Sequence, residues 1–170
     1  GSCILAKFNE RGIKDILIVD HFDNDQDSKQ FNLQGKQYAH FFEKTEFIRL
    51  IADNQLKDQV SCVIHMGACS STTLQDEPYY LKNNLEFSRI LAHWALAHHA
   101  RFIYASSAAT YGDGSQGFSD NWKLPELRKL QPMNLYGWSK HLFDLALVDR
   151  VSKNQKLPPQ WAGLKFFNVF

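Results

Sequence analysis

The sequence predicts an α/β domain, a parallel sheet covered by helices on both faces. Three observations lead there. Short apolar runs of strand length, residues 13–19, 60–66, 101–105 and 162–169, alternate with longer stretches whose apolar residues recur at helical spacing. Three of these runs end in small or charged residues, Asp20, then Gly67-Ala68-Cys69-Ser70-Ser71, then Ser106-Ser107. An open parallel sheet gathers its reacting groups at such strand ends. Finally, 170 residues with 44% hydrophobic and 22% charged content suffice for one domain with a substantial core.

The elements follow in order. Apolar residues at 4, 5 and 8 before Gly12 predict an amphipathic helix, so the chain opens inside a helix. Residues 13–19 are rich in Ile and Val and close on Asp20, as a buried strand would. Residues 23–40 are polar and read as irregular, and 41–54 alternate apolar and charged positions as one helix. The strand at 60–66 leads into the small-residue loop, a long helix spans 80–99, and the strand at 101–105 follows it. Gly, Ser and Pro punctuate a loop over 112–134 before a helix over 135–151. After Pro158-Pro159 the segment 162–169 reads as the last strand.

Composition narrows the classes of function. Nineteen basic residues against 18 acidic ones, net charge +1, offer neither a nucleic-acid surface nor a polybasic membrane contact. Cys3, Cys62 and Cys69 are odd in number and lack metal-ligand spacing, and two lie in apolar runs typical of buried thiols, which favours a reducing compartment. His93, His98 and His99 belong to the exposed face of a helix, and no metal is expected. No apolar run approaches 18 residues and no signal-peptide pattern occurs, so neither a membrane span nor secretion is expected.

The chemistry rests on Tyr136-Gly137-Trp138-Ser139-Lys140. Tyr and Lys four apart share a helix face, where the ammonium can favour the ionised phenol. A free phenol ionises near pH 10, so a base useful near neutrality needs roughly 3–4 kcal/mol of help. Ser107, 29 residues earlier at the end of a buried strand, would meet the Tyr in space. Hydride transfer is the reaction class this trio suggests.

Read in order, Ile16-Leu17-Ile18-Val19-Asp20, His65-Met66-Gly67-Ala68-Cys69-Ser70-Ser71-Thr72-Thr73, Asn83-Asn84, Ala105 to Gly112, Tyr136 to Lys140 and Phe166-Phe167-Asn168-Val169 carry a likeness over the whole chain. It resembles the extended short-chain dehydrogenases/reductases of the NAD-dependent epimerase/dehydratase type. The run from Gly67 to Thr73 narrows the likeness to members acting on ADP-linked heptoses. The resemblance implies a Rossmann-like, doubly wound parallel sheet, with residues 1–170 a partial NAD(P)-binding domain. It matches the N-terminal half of such an enzyme, lacking the first strand and most of the glycine turn, of which only Gly1 would remain. The substrate domain would be mostly absent and the isolated chain inactive.

By the same resemblance Tyr136 exchanges the proton, Lys140 supports it and binds the nicotinamide ribose, and Ser107 hydrogen-bonds the reacting oxygen. Asp20 and His21 would contact the adenosine ribose, Lys29 and Lys44 the charged part of the cofactor, and Met66, Gly67, Ala68, Cys69 and Ser70 would run along the dinucleotide. Asn83 and Val169 would add cofactor contacts, and Asn168 would touch substrate together with Ser107. Asp20 repels a 2′-phosphate and Lys29 can neutralise one, so NADP is expected with NAD possible. The expected reaction inverts C6 of ADP-glycero-manno-heptose by transient oxidation and reduction. It would supply heptose to the lipopolysaccharide inner core, in the cytoplasm of a Gram-negative bacterium and as a homo-oligomer. A second acid/base lysine would lie past Val169. Another sugar-nucleotide epimerase or reductase of this fold, or a non-catalytic dinucleotide-binding module, stays open as an alternative.

Overall fold

The computed structural model describes residues 1–22, 28–56 and 60–168. The chain falls into two compact units, Gly1–Lys57 and Asp58–Phe170. Helices and parallel strands alternate in both, as the α/β class requires.

The first unit opens with α1 (Ser2–Glu10), which buries Leu5 and ends just before Gly12. Gly12 has φ +78°, a conformation that costs glycine nothing. The chain then turns back on the helix, with Ile13 N–H donating to Phe8 O at 2.9 Å. Asn9 secures the exit, donating from Nδ2 to the carbonyls of Ile13 and Gln37 and accepting from Gln37 N–H at 2.7 Å. This explains why the first strand, β1 (Leu17–Asp20), starts four residues later than its apolar run. Ile13 is spent on the helix exit and is 45% exposed.

Residues 28–33 form a 3₁₀ helix inside the stretch expected to be irregular. The helix expected over 41–54 is two elements, β2 (His40–Glu43) and α2 (Lys44–Ala52). β2 pairs in parallel with β1 and sets Asp20 opposite Glu43. The strand was hidden because Phe41 and Ile48, seven residues apart, and Phe47 and Ile51, four apart, fit helical spacing, and because the cap is Glu43, outside the usual Ser, Thr, Asp and Asn set. Its carboxylate accepts from Thr45 N–H at 2.6 Å.

In the second unit β3 (Cys62–His65), β4 (Arg101–Ser107) and β5 (Trp161–Phe166) form a parallel sheet in that order. Helical backbone runs from α3 (Glu77–Tyr80) through a π-helical segment, Leu81–Glu86, into α4 (Phe87–Ala97). A 3₁₀ turn, Ala108–Tyr111, follows β4, and the loop beyond it holds a short α5 (Leu124–Leu127). The long α6 (Leu135–Ser152) starts at Asn134, whose side chain accepts from Gly137 N–H at 2.7 Å. Two of the three cysteines were expected to be buried thiols, yet Cys3 is exposed and Cys62 and Cys69 are only half-buried.

β4 and α6 share the core. Alternation along β4 turns Phe102, Tyr104 and Ser106 to one face. Phe102 and Tyr104 both pack edge-on against Phe143 of α6, Tyr104 at 4.8 Å between ring centroids. Burying a ring such as Phe143 stabilises by about 2–3 kcal/mol, which ties the helix to the strand end. No helix among the described residues is long and apolar enough to cross a membrane.

Candidate active site

Residues at the C-terminal end of β4 and the N-terminal half of α6 build the site in the second unit. Ser107 closes β4, is 7% exposed, and caps the 3₁₀ turn by accepting from Ala109 N–H at 3.1 Å. α6 begins against that turn. A Cβ on Gly137 would lie 2.8 Å from Ala109 O and 3.0 Å from Pro132 Cβ, so only glycine lets the helix start this close. Tyr136 therefore stands half-buried in the first turn of α6. One turn on, Lys140 is 4% exposed and donates from Nζ to Ala105 O at 2.8 Å. Ser107 is bracketed, with Lys140 gripping the backbone two residues before it and the start of α6 touching the backbone two residues after. The trio predicted from the motif is brought to one strand end.

Burial pulls Lys140 down from 10.5 to about 8, against the opposing pull of the Asp144 charge. Asp144 itself escaped the sequence reading. It is 4% exposed and accepts from Tyr104 Oη at 2.8 Å, Ser106 Oγ at 2.7 Å and Lys165 Nζ at 2.7 Å. Lys165 also donates to Thr110 Oγ1 at 2.6 Å, and Thr110 in turn donates to Ser107 O at 2.7 Å. Burial and the adjoining Asp144 carboxylate raise the Tyr104 phenol well above its ordinary range. A signal was available in the sequence, since Tyr136, Lys140 and Asp144 repeat every four residues and Asp144 interrupts an otherwise apolar stretch.

The small-residue loop is held by another unexpected residue. Asn84, fully buried, accepts from Cys69 N–H at 2.8 Å and donates to Cys69 O at 2.9 Å and to Ser139 Oγ at 2.9 Å. One side chain thus ties the loop of Met66, Gly67, Ala68, Cys69 and Ser70 to α6. Asn83, its neighbour, instead donates from Nδ2 to Tyr79 O at 2.9 Å. Replacing Asn84 by Leu should cost about 2–4 kcal/mol, because two main-chain groups of Cys69 lose their partner and the Ser139 hydroxyl, which still donates to Tyr136 O, loses its donor. Denaturant unfolding measures this, with Asn83→Leu as a milder control.

Asn168 follows β5 and is exposed, and Val169 lies outside the described residues. A cavity of about 580 Å³ lies at the opposite ends of β3 and β4, lined by residues that include Ser61, His98, His99 and Arg101, and it holds none of the expected site residues.

The first unit carries the remaining predicted residues at the ends of β1 and β2. Asp20 Oδ1 accepts from His21 N–H at 2.8 Å, and His21 Nδ1 lies 2.9 Å from Glu43 Oε1. Hydrogen bonds, from the Thr45 hydroxyl first and from His21, lower the Glu43 carboxyl from 4.5 to about 2. Lys29 Nζ donates to His21 O at 2.5 Å and lies 5.7 Å from the centre of the Phe22 ring. Phe22 stacks on Phe41 with ring centroids 5.0 Å apart. A cavity of about 390 Å³ opens beside these rings, lined by Phe22, Gln30, Leu33, Gln34, Tyr38 and Phe41. Asp20, His21 and Lys29 are thus assembled, and half-buried Lys44 follows directly on Glu43 as the first residue of α2.

The model of the NAD dependent epimerase/dehydratase family matches residues 1–170. The ADP-L-glycero-D-manno-heptose-6-epimerase of Fusobacterium nucleatum is 41% identical over 170 residues, which are 100% of this chain and 49% of that protein. Its namesake from Nitratidesulfovibrio vulgaris is 42% identical over 100% of this chain and 50% of its own length. The chain spans about half the length of the curated relatives it matches. Among solved structures, ADP-L-glycero-D-manno-heptose-6-epimerase of Helicobacter pylori superposes with a TM-score of 0.75 at 25% identity, covering 100% of this chain and 52% of that one. UDP-glucuronic acid 4-epimerase from Bacillus cereus, solved in complex with NAD, shares the fold at a TM-score of 0.73 and 21% identity, over 100% of this chain and 54% of that one. The Rossmann-like α/β fold expected from the sequence is the fold these proteins share.

Proposed function

Because the chain belongs to the NAD dependent epimerase/dehydratase family, we propose that it is the nucleotide-binding part of an epimerase inverting C6 of ADP-glycero-manno-heptose. The observation that carries this is the bracketing of Ser107 between Lys140 and the start of α6, on a chain 41% identical to a heptose epimerase.

The residues present fit a nicotinamide dinucleotide. An exposed carboxylate, Asp20, stands at a strand end beside Lys29, as a ribose diol and nearby phosphate require. A buried ammonium, Lys140, waits at another strand end, and Asn84 holds the main chain of the small-residue loop in one conformation. Asp20 and His21 would hold the adenosine ribose, Lys29 and Lys44 the phosphates, Met66 to Ser70 with Asn83 and Val169 the dinucleotide, and Lys140 the nicotinamide ribose. The carboxylate suits the free diol of NAD and repels a 2′-phosphate, which Lys29 would neutralise in NADP, the cofactor proposed here with NAD as the other candidate. When bound, the cofactor accepts hydride from C6 and returns it.

Tyr136 takes the C6 hydroxyl proton as the carbonyl forms and hands a proton back on reduction. Lys140, one turn away, favours the phenolate through its charge. Ser107 donates to the same oxygen and fixes it in front of the phenol, and Asn168 orients the sugar. Inversion follows when the carbonyl presents its other face, with no net redox change. The reaction suits a supplier of heptose to lipopolysaccharide inner core in the bacterial cytoplasm, working as a homo-oligomer.

In the full-length protein given ADP-D-glycero-D-manno-heptose, proton NMR should show interconversion at C6 without added reductant. Tyr136→Phe should lower the rate at least 100-fold, roughly the contribution of one positioned acid/base. Undiminished interconversion in Tyr136→Phe, or none in the unaltered protein, refutes the assignment.

A further inference from the structure

We propose that Asp144 is a positioning residue for the reaction, clamping the strand end that bears Ser107 onto the helix that bears Tyr136 and Lys140, and supplying the negative charge that offsets burial of the Lys140 ammonium. The inference rests on the reading of Ser107, Tyr136 and Lys140 as the reacting set, and goes beyond it to a residue that touches neither substrate nor cofactor.

Three geometric facts carry it. First, α6 grips three consecutive residues of β4 by polar contacts: Tyr104 and Ser106 donate to Asp144, and the Ala105 carbonyl between them accepts from Lys140. The strand therefore cannot slide or twist relative to the helix without breaking charge-assisted bonds in a dry environment. Second, Asp144 anchors Lys165, which reaches Thr110, which reaches Ser107 O, so the strand end is held from β5 as well. Third, the site leaves two ammonium groups in the interior, Lys140 at 4% exposure and Lys165 with a side chain 17% exposed. Asp144 is the buried carboxylate among the described residues that faces them. It raises Lys140 against the burial that lowers it.

Other titratable groups around the carboxylate are Tyr104 on β4, Tyr111 on the 3₁₀ turn, and His141 on α6. Lys165 lies 5.2 Å from the centre of the Tyr111 ring. His141 is 1% exposed and lowered by burial, and its Nδ1 has no hydrogen-bond partner among the described residues. A neutral imidazole contributes no charge here, so the balance rests on Asp144 and the two lysines.

The test uses the full-length protein with lysine labelled with ¹³C at Cε, Lys140 being assigned by its loss in Lys140→Met. In Asp144→Asn the Lys140 titration should move down from its position near pH 8 by about one pH unit, and kcat should fall about 10-fold or more with KM changed less than about 2-fold. Asp144→Asn combined with Lys165→Gln removes both members of the buried ion pair and guards against simple misfolding. The double variant should regain thermal stability yet keep the low kcat and the lowered Lys140 titration. Recovery of kcat together with stability would overturn the proposal, because Asp144 would then serve only to neutralise Lys165. An unmoved Lys140 titration in Asp144→Asn would overturn it too. The NMR arm needs no substrate. A protein inactive on ADP-heptose whose Lys140 titration still drops in Asp144→Asn supports the role of Asp144 and refutes the substrate instead.

Discussion

Replacing Lys140 by methionine should make the protein more stable at pH 7, by about 2–3 kcal/mol, while lowering turnover at least 100-fold. The stability gain follows from burial. Lys140 is 4% exposed and ionises near 8 in the fold against 10.5 when free. At about 1.4 kcal/mol per pH unit the buried charge costs roughly 3 kcal/mol, and loss of the bond to Ala105 O returns part of that. Below about pH 8 both folded and unfolded chains carry the proton, and the full cost stands. Between about 8 and 10.5 the folded chain has released it while the unfolded chain retains it, so stability rises with pH. Above 10.5 the cost is gone. The variant lacks this rise, and the two stability curves should converge at high pH. Urea unfolding at pH 7, 9 and 10.5 checks the sign. A methionine variant less stable than the parent at pH 7 would mean that Lys140 contributes more through its contacts than burial costs. Removal of a functional charge that stabilises the fold is the expected mark of a residue kept for chemistry.

Gly163→Ala should destabilise by about 3 kcal/mol. Gly163 pairs with Tyr104 across β4 and β5, and a Cβ there would lie 2.4 Å from Tyr104 Oη and 2.5 Å from Cζ. Neither atom can yield easily. The ring is packed on Phe143, and the hydroxyl holds Asp144. The substitution therefore adds overpacking to the loss of a donor from a buried carboxylate. Calorimetric or denaturant unfolding measures the cost, and a cycle with Tyr104→Ala identifies its source. The double variant should be less destabilised than the sum of the singles, since removing the ring removes the clash. Strict additivity would place the strain elsewhere.

The sequence revealed most where one element decided its own fate. β4 and α6 were legible because a buried apolar run and an amphipathic pattern need no knowledge of the partner, and Tyr136, Lys140 and Ser107 came with them. β2 was not, since Phe41 lies at helical spacing from Ile48, and Glu43 is an unusual cap. The contacts of Asp144 join residues 21 to 40 positions apart. They depend on register between β4, β5 and α6, which no local pattern encodes. Asn84 was passed over for Asn83 for a similar reason, because adjacent residues of like chemistry are separated only by helical phase.

That phase is set by the π-helical segment Leu81–Glu86. A wide turn holds one residue more than an α turn, which rotates everything after it by about 100° relative to an unbroken helix. The rod thus runs in two reading frames. The earlier frame aims Tyr80 at Ser71 O, and the later one aims Phe87 and Ser88 at His65. At the seam between them sits Asn84, whose own carbonyl accepts from Ser88 Oγ. The loop along Cys69 and the strand ending at His65 therefore answer to different phases of one helix, with the inserted residue as the gear between them.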